Sequence, residues 1–319
     1  MNSVGATTRS PLAPNAALSD TSRLRRGYLL GVLGVALFAL TIPMTRLASG
    51  SVAAPQLSPW FVAFGRAALA GAVAVLYLLA VRAPRPTVAQ WLALAFTAAG
   101  VVFGFPLFMG LAVVRVDAVH ASVVTGILPL VTAALGARLL KQPQPPLFWL
   151  FAWAGLLLVV AFAWWRGGSG LQLADALLAL ALLLGALGYV WGAKLSTTMR
   201  PEHVISWVLV LALPITVPAA WSTLPAAPVQ PASWLGFVYV SLFSMWLGFF
   251  AWYRALALGG TVRISQVQLL QPFLSIVVAV PILGETVDAA TWLFLLAVMG
   301  VVFASRRVAS STPNQGHKP

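Results

Sequence analysis

The residues of this chain best placed to hold a solute are one arginine and two matched rows of hydroxyl and amide side chains. Ser122, Thr125, Pro129 and Thr132 recur at spacings of 3, 4 and 3, and Ser265, Gln268, Pro272 and Ser275 repeat those spacings, with Gln271 beside them. Such spacings put each row on one face of a helix. Each proline also removes an intrahelical hydrogen bond and frees the carbonyl four residues earlier, on Thr125 and on Gln268. Freed carbonyls at membrane depth are tolerated where they meet protein or line a wet cavity. The competing reading is interhelical hydrogen-bond glue. Arg66 stands alone in an apolar stretch. Its guanidinium can grip a carboxylate through two parallel bonds, or its stem can snorkel so that the head reaches helix-end carbonyls or water.

Reactive chemistry is missing from the sequence. There is no H-E-x-x-H, no G-x-S-x-G and no phosphate-cradling glycine loop. Zero cysteines exclude thiol nucleophiles, disulfides and Cys-ligated metals. His120, His203 and His317 lie far apart, so no metal or hydrolytic centre assembles. Neither an enzyme nor a cofactor is expected. His120 begins a helical stretch, where it either senses pH or couples to protons, or sits solvated at the helix end. Asp175, Glu285 and Asp288 each fall near the start of such a stretch, where a carboxylate favours the N-terminal dipole. Capping their own helices is therefore their expected role. With no acid at mid-stretch, facilitated diffusion, exchange or weak coupling through a group such as His120 is expected.

The elements that position these residues are helices in a membrane. Of 319 residues, 61% are hydrophobic and 8% charged, against about 25% charged in soluble domains. That composition excludes a soluble globular domain. Ten stretches approach the roughly 20 apolar residues a spanning helix needs: 27–46, 60–81, 90–112, 118–138, 147–165, 172–194, 204–221, 233–255, 262–282 and 289–306. The alternating ten-residue pattern of a β-barrel is absent. The net charge of +13 is scattered singly between apolar runs, which argues topology rather than nucleic acid. With the N-terminus inside, fifteen Lys/Arg fall on cytoplasmic segments and three (Arg46, Arg115, Arg166) outside. Both termini are thus expected in the cytoplasm, with 1–26 and 308–319 as tails, the first disordered. A signal-peptide reading of the first run, with cleavage near Ala48-Ser49-Gly50, is disfavoured by that run's length. Gly100/Gly104 and Gly188/Gly192 have the spacing of close helix contacts. Tyr189, Trp191, Trp246, Trp252 and Tyr253 form either an aromatic cavity wall or ordinary packing.

The chain also repeats itself. A shift of 143 residues aligns 112–157 with 255–300 without a gap, matching Pro129 to Pro272 and Trp149-Leu150-Phe151 to Trp292-Leu293-Phe294. Five spans per copy force the two copies to cross the membrane in opposite senses. The expected fold is an all-α integral membrane protein of ten transmembrane helices in two inverted five-helix repeats, 27–165 and 172–307.

The stretch Ala255-Leu256-Ala257-Leu258, Pro272, Leu283-Gly284-Glu285, Trp292 and Gly300-Val301-Val302 resembles the EamA domain of the drug/metabolite transporter superfamily. So does Asp175-Ala176-Leu177-Leu178, and Pro59 with Arg66 resembles that family's spacing in the second span. The first copy has Lys141-Gln142 where the second has Gly284-Glu285. The resemblance implies an inner-membrane carrier, usually an exporter of amino acids or other small metabolites. Its implied partners are a small-molecule solute and the bilayer, with no nucleic acid; a homodimer is left open. The alternative is a non-transporting membrane scaffold or accessory subunit.

Overall fold

The computed structural model describes residues 20–139, 144–168, 170–259 and 265–310. Among the described residues eight helices are long and apolar enough to cross a membrane: α1 Ser22–Ser49, α2 Pro59–Ala80, α3 Val88–Val113, α4 Ala118–Leu139, α5 Pro146–Arg166, α6 Leu173–Leu195, α7 Pro201–Ser222 and α8 Pro231–Ala255. Two shorter apolar helices follow, α9 Val267–Leu283 and α10 Ala289–Ser305. No strand occurs among the described residues. The reason is the solvent: a chain with apolar residues on every side must satisfy its backbone internally, and helices do so within one segment.

Several helices are interrupted, and proline explains most of the breaks. α4 is split into Ala118–Thr125 and Leu128–Leu139, with the second half starting one residue before Pro129. A 3-10 turn, Ser265–Leu270, leads into α9, which becomes α-helical at Gln271, one residue before Pro272. Leu128 and Gln271 stand 143 residues apart, the offset of the sequence repeat. In α1, Pro43 lies behind a break at Leu40. Wide π-turns interrupt α3 at Ala98–Gly104 and α8 at Val240–Leu247, near that same offset.

Two large apolar clusters and a smaller third one around Phe61 and Phe237 form the core of the described residues. Val124, Phe148, Phe162, Leu178, Ile276 and Leu295 anchor one large cluster, drawn from α4, α5, α6, α9 and α10. Val35, Ala70, Leu94, Val208 and Trp252 anchor the other, from α1, α2, α3, α7 and α8. Large apolar side chains such as Leu76, Leu157 and Trp221 stay exposed on the outer surface, where acyl chains rather than water would meet them. The described part of the first helix reaches back to Asp20, before the expected Gly27, so residues 20–26 are helix rather than disordered tail. Lys141 and Gln142 lie outside the described residues.

Candidate functional site

The breaks in α4 and α9 meet. A β-carbon built on Gly126 would lie 3.4 Å from the Pro272 ring. One turn away, the Ser122 hydroxyl sits 2.6 Å from Ala118 O and 2.9 Å from Ser275 Oγ. A small gap at the junction is lined by Thr125, Pro129, Gln268, Gln271, Pro272 and Ser275. The Nε2 of Gln268 is buried there with no hydrogen-bond partner, and an unpaired buried donor is costly. Thr125 Oγ1 donates to Ser122 O at 3.1 Å.

A second cavity continues inward past Thr125 and Gln271 to Arg66, with Thr41, Tyr189 and Ser244 adding polar atoms. Phe38, Phe105 and Phe249 supply its apolar wall. Arg66 is 3% exposed, so the snorkelling reading is overturned: the guanidinium stays inside. Its Nη2 donates to Ser244 Oγ at 3.1 Å, and that hydroxyl lies 2.7 Å from Thr41 Oγ1. The Nε of Arg66 has no partner. Among the described residues no carboxylate forms an ion pair with it. A buried charge without a counter-charge is unfavourable, and within a membrane it marks a functional group. The free volume is about 30 Å³, far below the roughly 300–1,000 Å³ of ligand pockets. A solute fits only if helices part.

The remaining expected residues fall elsewhere. Thr132 bonds back to Leu128 O at 2.8 Å and lines neither gap. The side chain of Ser265 lies outside the described residues. Of the five aromatics, Tyr189 alone lines the cavity. Trp191 stacks on Phe96 with ring centres 5.2 Å apart, Trp246 donates to Ser206 Oγ at 3.0 Å, and Trp252 and Tyr253 belong to the core.

His120 and Glu285 behave differently from the sequence expectation. His120 is not solvated: it is 5% exposed, and its Nε2 lies 2.8 Å from Asp175 Oδ1. Asp175 caps its own helix as expected, its Oδ2 accepting from Gln172 N at 2.8 Å, but it also ties α6 to α4. Glu285 caps the wrong helix. Its two oxygens accept from Ala118 N and Val119 N, each at 2.8 Å, at the start of α4 rather than α10. The cause is Gly284, whose φ of +67° ends α9 in the left-handed region and turns the chain toward α4. Burial pushes the Glu285 carboxyl above the usual carboxylate range, against the pull of those two N–H groups. Asp288 keeps the expected role: it accepts from Thr291 N at 2.6 Å, which holds its carboxyl below the usual range.

Thr41, Ser244 and the three phenylalanines were not evident from the sequence. Pro43 is the one signal that pointed to Thr41, because it breaks α1 as Pro129 and Pro272 break their helices.

This is a multi-pass helical membrane protein with a polar centre buried at broken helices. The chain belongs to the EamA-like transporter family, whose model matches residues 25–164 and again 172–306. It is a membrane transporter by that membership, acting on a small-molecule solute within a lipid bilayer. It is 40% identical over 290 residues to "Uncharacterized transporter YdeK" of Bacillus subtilis (strain 168), covering 90% of this chain and 99% of that one. A solved crystal structure superposes with a TM-score of 0.60 at 17% identity, covering 89% of this chain and 96% of its own. At that identity the likeness concerns the fold alone.

Proposed function

We propose that the chain is a secondary transporter that exports a small carboxylate-bearing metabolite, such as an amino acid, by alternating access of two inverted five-helix halves. The observation that carries this reading is Arg66, a buried cation with no carboxylate paired to it among the described residues, facing a cavity built at broken helices. The solute's carboxylate supplies the missing charge, and Thr125, Gln268 and Gln271, with Ser122 and Ser275 behind them, supply neutral hydrogen bonds. Ser265 and Thr132 are more distant members of the rows. The halves, 27–165 and 172–307, are supported by the family model's two matches and by helix breaks at a common 143-residue offset. Half-helix termini meeting at mid-membrane are how inverted-repeat carriers form their sites. His120 is the group proposed for any pH sensitivity. Flux in proteoliposomes tests the reading. Saturable uptake of one carboxylate metabolite from a panel is expected, whereas inert liposomes beside a working control carrier would favour the scaffold.

Gln268→Ala and Thr125→Val should each raise the half-saturation concentration by about 2–13-fold, the cost of one neutral hydrogen bond. Expression and folding should be unchanged. If both variants kept the parent half-saturation, the rows would be packing glue.

We further propose an inner-membrane location with both termini cytoplasmic, supported by the bias of fifteen basic residues to three. The chain has no cysteine, so single cysteines report sidedness directly. Cysteines replacing Ala227 or Ala289 should react with an impermeant reagent added outside, and those replacing Pro84 or Pro201 should not. The reverse pattern would refute the orientation.

A further inference from the structure

At the end of the bundle that carries Glu285, its carboxylate ties the start of α4 to the α9–α10 turn. A polar vestibule of about 560 Å³ indents that end, with Arg46, Gln56, Asp117, Gln230 and Glu285 in its lining. Beneath it lies the seam between α4 and α9. Two layers close the seam above the cavity, in order of depth. Glu285 binds the first two N–H groups of α4; then Ser122 meets Ser275 at 2.9 Å; then Thr125 and Gln271 open into the Arg66 cavity. From Ala118 to Thr125 the depth is about 10 Å at 1.5 Å per residue.

Within that stack Glu285 is the strongest bond. It joins residues 167 and 166 positions apart in the chain. Hydrogen bonds to a charged group are roughly twice as strong as neutral ones, such as the Ser122–Ser275 contact below it. Arg166 also spans this end, to Asp288 at 3.2 Å and Asp117 at 3.5 Å, but these partners are 46% and 52% exposed. Exposed pairs contribute little. The element that Glu285 holds is a short lever. Ala118–Thr125 is a helix of 8 residues, separated from the rest of α4 by the break at Gly126 and Ile127. His120 fastens the same lever to α6 through Asp175. Releasing Glu285 therefore frees the lever from the α9–α10 turn while leaving it attached to α6.

We propose that Glu285 is the latch of the solute path on this side: its carboxylate seals the α4–α9 seam between the vestibule and the Arg66 cavity, and breaking its two bonds to α4 opens that path. The proposal rests on the transporter reading above and adds to it a gate, a hinge and a route. It also replaces the expectation that this acid merely caps its own helix.

Thiol labelling tests it. Ser275→Cys places a reporter in the second layer, where the parent side chain is 1% exposed. The reporter is probed with a membrane-impermeant maleimide reaching the vestibule side. Glu285→Ala should raise the labelling rate about tenfold or more, the loss expected for hydrogen bonds to a charged group. Glu285→Gln, which keeps one acceptor, should give a smaller rise. Ala70→Cys, at a 0% exposed site in the other large cluster, should stay unlabelled in both backgrounds. An unchanged Ser275→Cys rate in either Glu285 variant would overturn the latch. So would an equal rise at the Ala70→Cys site, because that marks general loosening. Labelling needs no solute, so its outcome and that of the flux measurement can fail separately.

Discussion

Arg66→Gln is expected to lower carboxylate uptake by about 10²–10⁴-fold, the roughly 3–5 kcal/mol lost when one partner of a buried charge pair is removed. Glutamine can keep the contact with Ser244 Oγ, so the loss isolates the charge. Arg66→Lys keeps the charge but not the planar fork, and about 10–150-fold is expected for one charge-assisted bond of roughly 1.5–3 kcal/mol. The same solute with its carboxylate converted to an amide should lose its dependence on position 66. Stability should move the other way. The empty protein holds an uncompensated buried cation, so Arg66→Gln should melt in detergent no lower than the parent. Carboxylate uptake within twofold of the parent would show that Arg66 serves packing and that the anion binds elsewhere.

Gly100→Ala is expected to produce the largest loss of stability. A β-carbon there would lie 2.6 Å from both Cα and N of Gly188, where α3 and α6 cross. Those are backbone atoms of a helix, so one cannot yield without shifting its neighbours. Overpacking of this kind costs about 1–3 kcal/mol or more. The crossing also sets the cavity wall, because Val101 and Phe105 from α3 face Gly185 and Tyr189 from α6 there. Gly100→Ala should therefore lower both the melting temperature and the solute affinity. Gly110→Ala, whose nearest foreign atom would be 3.5 Å away, and Gly300→Ala, with nothing within 4 Å, are the controls. Equal melting temperatures for all three would mean that α3 and α6 do not approach as closely as their glycines allow.

These two residues illustrate what was legible along the chain. Both stand out locally: Arg66 as a lone charge in an apolar run, Gly100 through its spacing to Gly104. The rows around Pro129 and Pro272 were legible for the same reason, since a proline breaks its own helix whatever surrounds it. Thr132 shows the limit of that logic. It keeps the spacing of its row, yet its hydroxyl is taken by Leu128 O in the same helix.

By itself, the sequence determined that this is an all-helical membrane chain, where its apolar helices run, where several break, and which charge stands alone in an apolar run. Each follows from composition or spacing within about 20 residues, because a bilayer requires every helix to satisfy its own backbone. Only the tertiary structure decided the partners. Thr41 meets Ser244 across 203 residues, His120 meets Asp175 across 55, and Glu285 reaches Ala118 across 167. Helices that are apolar all round carry no stripe to say which face turns inward. Their rotation and neighbours are set by close packing at small residues such as Gly100 and Gly188, and that packing is a property of the assembled bundle.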